Sequence, residues 1–209
     1  MTILRHALIA LAALFATAAP AQAADKLVLA FGDSLTAGYQ LPPGQGFAPQ
    51  LEAALRKSGV PARVHNAGVS GDTTAQGRAR LGWVLNALKA KPDLAIVELG
   101  ANDMLRGLPP AQARANLDAI MTEFKKRDIP VLIAGMRAAP NLGADYRRRF
   151  DSIFPDLSKK YGAPLYPFFL DGMIGNRGLH IGDNLHPNAN GVAVIVKGIL
   201  PQVRSALTK

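Results

Sequence analysis

The chain runs Lys26-Leu-Val-Leu-Ala-Phe31 and continues at once as Gly32-Asp33-Ser34-Leu35. The first stretch is a nearly continuous apolar run, which suits a strand buried on both faces of a parallel sheet. The second stretch combines glycine with small polar residues and is typical of a turn. Loops that follow the strands of such a sheet lie at the edge where ligand sites gather. This segment therefore predicts a buried strand of a parallel sheet, with a ligand site at the loop that follows it.

Four further β-rich runs, at residues 62–67, 94–99, 131–136 and, more weakly, 165–168, are also predicted to be strands. Stripes of apolar residues spaced by three and four lie between and after them and predict amphipathic helices. The stripes are Leu81, Leu85 and Leu88 in a helix starting near Thr73; Ala113, Leu117, Ile120 and Phe124; Tyr146, Phe150, Ile153, Leu157 and Tyr161, kinked at Pro155; and Val192, Ile195, Ile199 and Val203. The alternation predicts a doubly wound three-layer α/β sandwich.

The N-terminus begins Met1-Thr-Ile-Leu-Arg5 and continues as a run rich in Ala and Leu that ends near Ala21-Gln-Ala23. A basic start, an apolar stretch and a small-residue cleavage site are typical of a signal peptide. A membrane anchor is the alternative, but the run contains Pro20 and is barely long enough to span a bilayer. We therefore predict a signal peptide over residues 1–23 and a single periplasmic or secreted domain over 24–209, with no stable membrane insertion after cleavage.

Composition narrows the classes of function. There is no cysteine, which excludes a disulfide framework and an acylated lipoprotein. The net charge is +9. We interpret the basic clusters at 125–127, 147–149 and 159–160 as solvated helix faces; alternatively, they attract the protein to anionic membrane surfaces. A 6% aromatic content without a nucleic-acid-binding motif argues against nucleic acid as a partner. The absence of a P-loop or His/Cys cluster predicts no metal and no organic cofactor. We expect a monomer.

Ser34 needs a base before its hydroxyl can act as a nucleophile. Three histidines follow residue 23: His65 lies in a predicted strand, and His180 has no acidic residue three positions before it. His186 has Asp183 at that position, and such a carboxylate can accept from the ring Nδ1–H so that Nε2 faces a serine. Alternatively, Asp183 only caps a turn and His186 is a surface residue. The preferred hypothesis makes Ser34 the nucleophile, His186 the base and Asp183 its orienting acid.

An acyl-transfer site also needs donors for the oxyanion that forms on attack. The candidates are the backbone N–H of Ser34, the backbone N–H of Gly71, which has no side chain to block close approach, and the side-chain amide of Asn102. Gly71 as a plain loop glycine and Asn102 as an Asx turn are the alternatives. Asp33 and Asp103 are predicted to hydrogen-bond loop backbones rather than act as bases.

The four segments Gly32-Asp-Ser34, the Gly71 loop, Gly100-Ala-Asn-Asp103 and Asp183-Asn-Leu-His186 follow one another along the chain. In content and order they resemble the four sequence blocks of the SGNH (GDSL-type) hydrolases. Within that superfamily the chain is most similar to the bacterial periplasmic acyl-CoA thioesterase, lysophospholipase and arylesterase group. The resemblance covers nearly all of residues 24–209. It implies a flavodoxin-like α/β/α sandwich with a five-stranded parallel sheet, and the same roles for Ser34, Asp183, His186, Gly71 and Asn102.

The resemblance also implies a serine esterase that hydrolyses acyl esters and thioesters, lysophospholipids among them, through an acyl-enzyme. Met104 stands where close relatives often carry glycine, and Met104, Leu105 and Leu108 are expected to border the acyl-chain groove. A carbohydrate O-acetylesterase is the alternative enzyme, although these apolar residues favour acyl chains. A catalytically silent module that binds lipid or glycan is the non-enzyme alternative.

Overall fold

The computed structural model describes residues 24–208, so the predicted signal peptide lies outside the described residues. Five parallel strands form one sheet in the order β2-β1-β3-β4-β5, with helices on both faces. The strands are β1 Lys26–Gly32, β2 Ala62–Gly68, β3 Leu94–Glu98, β4 Val131–Ala134 and β5 Leu165–Tyr166. The predicted flavodoxin-like α/β/α sandwich with a five-stranded parallel sheet is confirmed.

The order of the strands creates a switch point between β1 and β3. The chain leaves β1 to form β2 on one side of it and then returns to form β3 on the other side. Both central strands are buried because helices cover the two faces, and Val28 and Phe31 have no exposed surface. A crevice forms outside the carboxyl ends of strands at such a point. Ser34 follows β1 and Asn102 follows β3, so the two residues flank that crevice.

Eight α-helices lie within residues 24–208. They are α1 Ser34–Ala37, α2 Phe47–Lys57, α3 Thr74–Ala87, α4 Ala101–Leu105, α5 Pro110–Lys126, α6 Ala144–Asp151, α7 Ile153–Tyr161 and α8 Ala189–Leu207. α2 packs against α8, whereas α3 packs against α5, which also contacts α6 and α7. The predicted stripes on α5 and α8 are buried as expected. Within the described residues, none of the helices combines the length and apolar character that crossing a bilayer requires.

The prediction of one helix kinked at Pro155 was wrong. The apolar stripe from Tyr146 to Tyr161 divides into α6 and α7, and the break falls at Ser152. Pro155 is the third residue of α7. A proline is compatible with a first helical turn because the backbone N–H groups there have no partner within the helix. The chain therefore breaks before the proline rather than at it.

Smaller differences concern the ends of elements and three helices that were not predicted, α1, α2 and α4. Leu88, predicted on a helical stripe, follows the end of α3 at Ala87. The predicted strands at 131–136 and 165–168 continue beyond β4 and β5 into loops. α2 was not predicted, although Phe47, Leu51 and Leu55 form its buried face.

Candidate active site

Ser34 is the first residue of α1 and follows β1 across a sharp turn. Gly32 makes the turn possible, because a Cβ there would collide with the Thr36 hydroxyl and the Glu98 carboxyl. Asp33 caps α1 by accepting the backbone N–H of Leu35 at 3.0 Å. The turn therefore holds the Ser34 hydroxyl at the carboxyl edge of the sheet.

The loop before α8 brings His186 and Asp183 to Ser34. The Nε2 atom of His186 lies 2.8 Å from the Ser34 Oγ, and its Nδ1 atom lies 2.6 Å from the Asp183 Oδ2. The other oxygen of Asp183 accepts the backbone N–H groups of Leu185 and His186, at 2.9 and 3.0 Å. Asp183 therefore caps its own turn and also bonds the imidazole, so the two interpretations of this residue hold together.

The electrostatics of this loop favour an ionised Asp183. Partial burial alone would raise its pKa, but the N–H groups of His186 and Leu185, together with the His186 ring, lower the pKa of Asp183 to about 2. The loop is anchored by the N–H of Ile181, which donates to the His186 carbonyl at 2.9 Å. On its outer side the His186 ring packs against Tyr39, with ring centroids 4.6 Å apart. The imidazole is thus fixed from two directions.

Asn102 lies in the first turn of α4, directly after β3. Gly100 is the N-cap of this helix, and its φ of 119° is a conformation that favours glycine. The Asn102 side-chain Nδ2 donates to the Asp33 Oδ2 at 3.1 Å. Gly71 lies in the loop after β2, with φ 87°, and its carbonyl accepts from the Arg106 guanidinium at 2.8 Å. All three candidate oxyanion donors therefore follow strand ends at the same edge of the sheet.

The carboxylates beside Ser34 and Asn102 bond backbone, as predicted. Asp33 bonds the Leu35 N–H, and Asp103 accepts from the N–H and the hydroxyl of Thr74 at 2.7 and 2.6 Å. The additional bond from Asn102 to Asp33 was not anticipated, since the two residues are 69 positions apart.

The other two described histidines form no hydrogen bond with Ser34. His65 is exposed on β2, and the Nδ1 atom of His180 lies 2.9 Å from the Asn176 carbonyl oxygen. Across residues 24–208 no group of three or more His, Asp or Glu side chains is arranged to hold a metal ion.

A cleft of about 450 Å³ opens beside Ser34, His186 and Asn102. Most of its lining is apolar: Met104, Leu105, Met136, Phe168, Leu170 and Ile174 contribute to it. Met104 is buried, whereas Leu105 is 52% exposed at the opening. Leu108, the third residue expected to contact substrate, lies outside this lining, and its carbonyl accepts from the Tyr146 hydroxyl at 2.9 Å.

Two exposed arginines, Arg137 and Arg147, also line the cleft. The guanidinium of Arg137 lies 5.3 Å from the centroid of the Phe168 ring. On α6, Arg148 and Arg149 both form ion pairs with Asp145, whereas Arg147 has no carboxylate within 4.0 Å among the described residues. Sequence reasoning grouped the three α6 arginines as one solvated face and did not single out Arg137, although the loop after β4 lies at the same sheet edge.

Comparison with known proteins gives one consistent family. The model of the GDSL-like lipase/acylhydrolase family matches residues 30–194. An arylesterase from Vibrio mimicus is 39% identical over 180 residues, which are 86% of this chain and 88% of that protein. The thioesterase 1/protease 1/lysophospholipase L1 of Escherichia coli K12 is 34% identical over 184 residues, 88% and 86% of the two chains. The crystal structure of AlinE4, an SGNH-hydrolase family esterase, has 52% identity and a TM-score of 0.77, covering 89% of this chain and 98% of its own.

Proposed function

Since the chain belongs to the GDSL-like lipase/acylhydrolase family and is a serine hydrolase that acts on esters, we propose that Ser34, His186 and Asp183 carry its reaction. The observation that supports this assignment is the pair of contacts made by one imidazole, 2.8 Å to the Ser34 Oγ and 2.6 Å to Asp183. A serine hydroxyl within hydrogen-bond reach of a base, which is itself oriented by a carboxylate, is the arrangement that nucleophilic acyl transfer requires.

In the first half of the reaction, the Ser34 Oγ forms a bond to the acyl carbonyl carbon while its proton passes to the His186 Nε2. Asp183, ionised because of its low pKa, stabilises the imidazolium. The tetrahedral intermediate then expels the alcohol or thiol, which receives that proton, and an acyl-enzyme remains on Ser34. In the second half, water attacks the acyl-enzyme, His186 takes the water proton and returns it to the Ser34 Oγ, and the free acid leaves.

We assign the oxyanion site to the Ser34 N–H, the Gly71 N–H and the Asn102 side-chain amide. In comparable hydrolases one such donor contributes about 10²- to 10³-fold to kcat. Asn102 supports the assignment most directly, because it lines the cleft with Ser34 and points its amide nitrogen at Asp33. One N–H of the amide is used there, and the second is left for an acceptor in the cleft.

The cleft indicates a substrate with an apolar part and an anionic part. Its wall offers aliphatic, methionine and aromatic surface beside Ser34, which suits an acyl chain or an aryl group. Arg137 and Arg147 outnumber the one lining carboxylate, Asp151, and leave a net positive charge that suits a phosphate or carboxylate. A lysophospholipid or an acyl thioester with a phosphorylated leaving group combines both features. A carbohydrate acetate offers little apolar surface, so the O-acetylesterase hypothesis ranks below.

A series of esters tests the proposal. We expect wild-type protein to hydrolyse 4-nitrophenyl octanoate with a higher kcat/KM than 4-nitrophenyl acetate or an acetylated sugar, and a fluorophosphonate probe to label Ser34. Ser34→Ala should lose at least about 10³-fold in kcat with the fold unchanged. Full activity or labelling in Ser34→Ala would overturn the assignment of the nucleophile. Activity on the sugar alone would favour the O-acetylesterase, and inactive wild-type protein without labelling would favour a silent binding module.

Export from the cytoplasm is also part of the proposal. It is supported by the N-terminal sequence at residues 1–23. Mass spectrometry of the protein recovered from a periplasmic extract should find an N-terminus near Ala24, and a full-length chain in the cytoplasmic fraction would contradict export.

A further inference from the structure

We propose that Asp33 is a positioning residue for catalysis, which acts by fixing the side-chain amide of Asn102 in the orientation that offers an N–H to the oxyanion. This inference rests on the proposed function, because it takes Asn102 as an oxyanion donor. It assigns a role in the reaction to a carboxylate that sequence reasoning treated only as a backbone acceptor.

The geometry of Asp33 carries the argument. Its carboxylate is fully buried, and two donors converge on it: the Leu35 N–H on Oδ1 at 3.0 Å and the Asn102 Nδ2 on Oδ2 at 3.1 Å. An ionised carboxylate can only accept hydrogen bonds. A flipped Asn102 would place its amide oxygen against this carboxylate, with two acceptors facing each other. Asp33 therefore stabilises one of the two amide orientations of Asn102, whereas an asparagine without this contact would have no such preference.

Capping of α1 does not explain the whole arrangement. The N-cap function of Asp33 uses one oxygen and needs only a short polar side chain, which serine supplies as well as aspartate. The second oxygen reaches across from the end of β1 to α4, beyond β3, and contacts a residue that lines the cleft. The second hydrogen bond of this buried carboxylate therefore serves Asn102, beyond what the cap of α1 requires.

The matched test separates the cap from the contact with Asn102. Asp33→Ser keeps an acceptor for the Leu35 N–H but is too short to reach Asn102. We expect kcat on 4-nitrophenyl octanoate to fall by about 10- to 100-fold, with KM within about twofold of wild type, because the oxyanion interaction exists only in the transition state. Circular dichroism and thermal unfolding verify that the variant is folded, and Asp33→Asn provides a second variant of nearly identical shape.

A double-mutant cycle then asks whether Asp33 acts through Asn102. In an Asn102→Ala background, Asp33→Ser should change kcat by less than about threefold, because the group that Asp33 positions is gone. Equal losses in both backgrounds would overturn the inference, and would show that Asp33 acts through another group such as His186. If the cycle is additive while a fluorophosphonate still labels wild-type Ser34, the inference fails and the proposed function stands.

Glu98 provides the control carboxyl. It is also fully buried and accepts from the Thr36 hydroxyl at 2.8 Å and from the Asp33 backbone N–H at 3.4 Å, but it forms no hydrogen bond with Asn102. Its burial first, and the nearby Asp33 charge second, raise the pKa of Glu98 well above its ordinary value and favour the neutral acid. Glu98→Gln should therefore keep kcat within about threefold of wild type. A loss as large as that of Asp33→Ser would mean that any disturbance of this buried cluster lowers activity, and would overturn a specific role for Asp33.

Discussion

Replacing Asp33 by asparagine should change how the free energy of unfolding depends on pH. Burial raises the pKa of Asp33 from 3.8 to about 6, opposed by the bonds from Leu35 and Asn102 and by His186, and reinforced by Asp72. Because the folded protein then holds this proton more tightly than the unfolded chain, the stabilising effect is complete below pH 3.8 and is lost as pH rises through about 6. A difference of this size corresponds to about 3 kcal/mol.

Urea unfolding at pH 4.5, 5.5, 6.5 and 7.5, followed by far-UV circular dichroism, measures this effect. Asparagine is neutral throughout, so Asp33→Asn should gain about 2 kcal/mol relative to wild type between the two ends of the series. Asparagine also offers one acceptor oxygen where two donors converge, which costs the variant about 1 to 3 kcal/mol at every pH. The slope of the difference against pH is therefore the result that matters, rather than its value at one pH.

Two features isolate the contribution of Asp33. The Asp33 charge is the second cause, after burial, of the raised pKa of Glu98, so both proteins carry Glu98→Gln, which removes that titration from the difference. Asp171→Asn removes an exposed carboxylate and controls for the change in net charge. A dependence on pH of the same size in this control would assign the effect to net charge rather than to Asp33. If the difference for Asp33→Asn does not change with pH, the folded protein does not hold a destabilising Asp33 charge, and this prediction is wrong.

Three further outcomes follow from the geometry. Asn102→Ala should lower kcat by about 10²- to 10³-fold with little change in KM on 4-nitrophenyl butyrate, and an unchanged kcat would remove Asn102 from the oxyanion site. Asp183→Asn should lower kcat/KM by about 10³- to 10⁴-fold, because the amide can present a donor to the ring and favour the wrong tautomer; a loss below tenfold would argue against its orienting role. Phe169→Ala should cost about 3 to 5 kcal/mol in urea unfolding, since Phe169 is fully buried and packs edge-to-face on Phe47. Trp83→Ala, at a residue 75% exposed, is the control and should stay within about 0.5 kcal/mol.

The fold was predictable because the central strands are nearly continuous apolar runs. β3 is buried along its length and β1 is buried from Val28 onward, so their sequences carry little of the alternation that an exposed face would impose. The helices were harder, and two of those that were missed or misplaced have a proline in the first turn. Pro49 and Pro155 are each the third residue of a helix, α2 and α7. In a sequence a proline indicates a break, whereas in a first helical turn it replaces an N–H that has no intrahelical partner.

The candidate site was predictable where it depends on residues close together in sequence or on the ends of predicted strands. Asp183 and His186 share one loop, and their spacing alone brings the carboxylate to the ring. Ser34 and Asn102 each follow an apolar strand, so the parallel sheet places both at one edge. The bond between Asp33 and Asn102 depends instead on how far α4 turns after β3, which no local spacing encodes. For the same reason, the sequence could not show that Arg149 pairs with Asp145 whereas Arg147 lines the cleft.

Two carboxylates near Ser34 have very different pKa values because their environments differ. Asp183 lies near the surface, where backbone N–H groups lower its pKa to about 2, so its charge is retained in both neutral and mildly acidic solution. Asp33 is buried, and its pKa of about 6 means that the folded protein keeps its charge near neutral pH against a desolvation cost. A fold selected for stability alone would replace such a group, because a neutral side chain caps α1 equally well. The contact with Asn102 supplies the reason to keep it: the charge that weakens the fold is the feature that holds the amide in one orientation. On this argument, variants at Asp33 that gain stability toward neutral pH should be the ones that lose kcat.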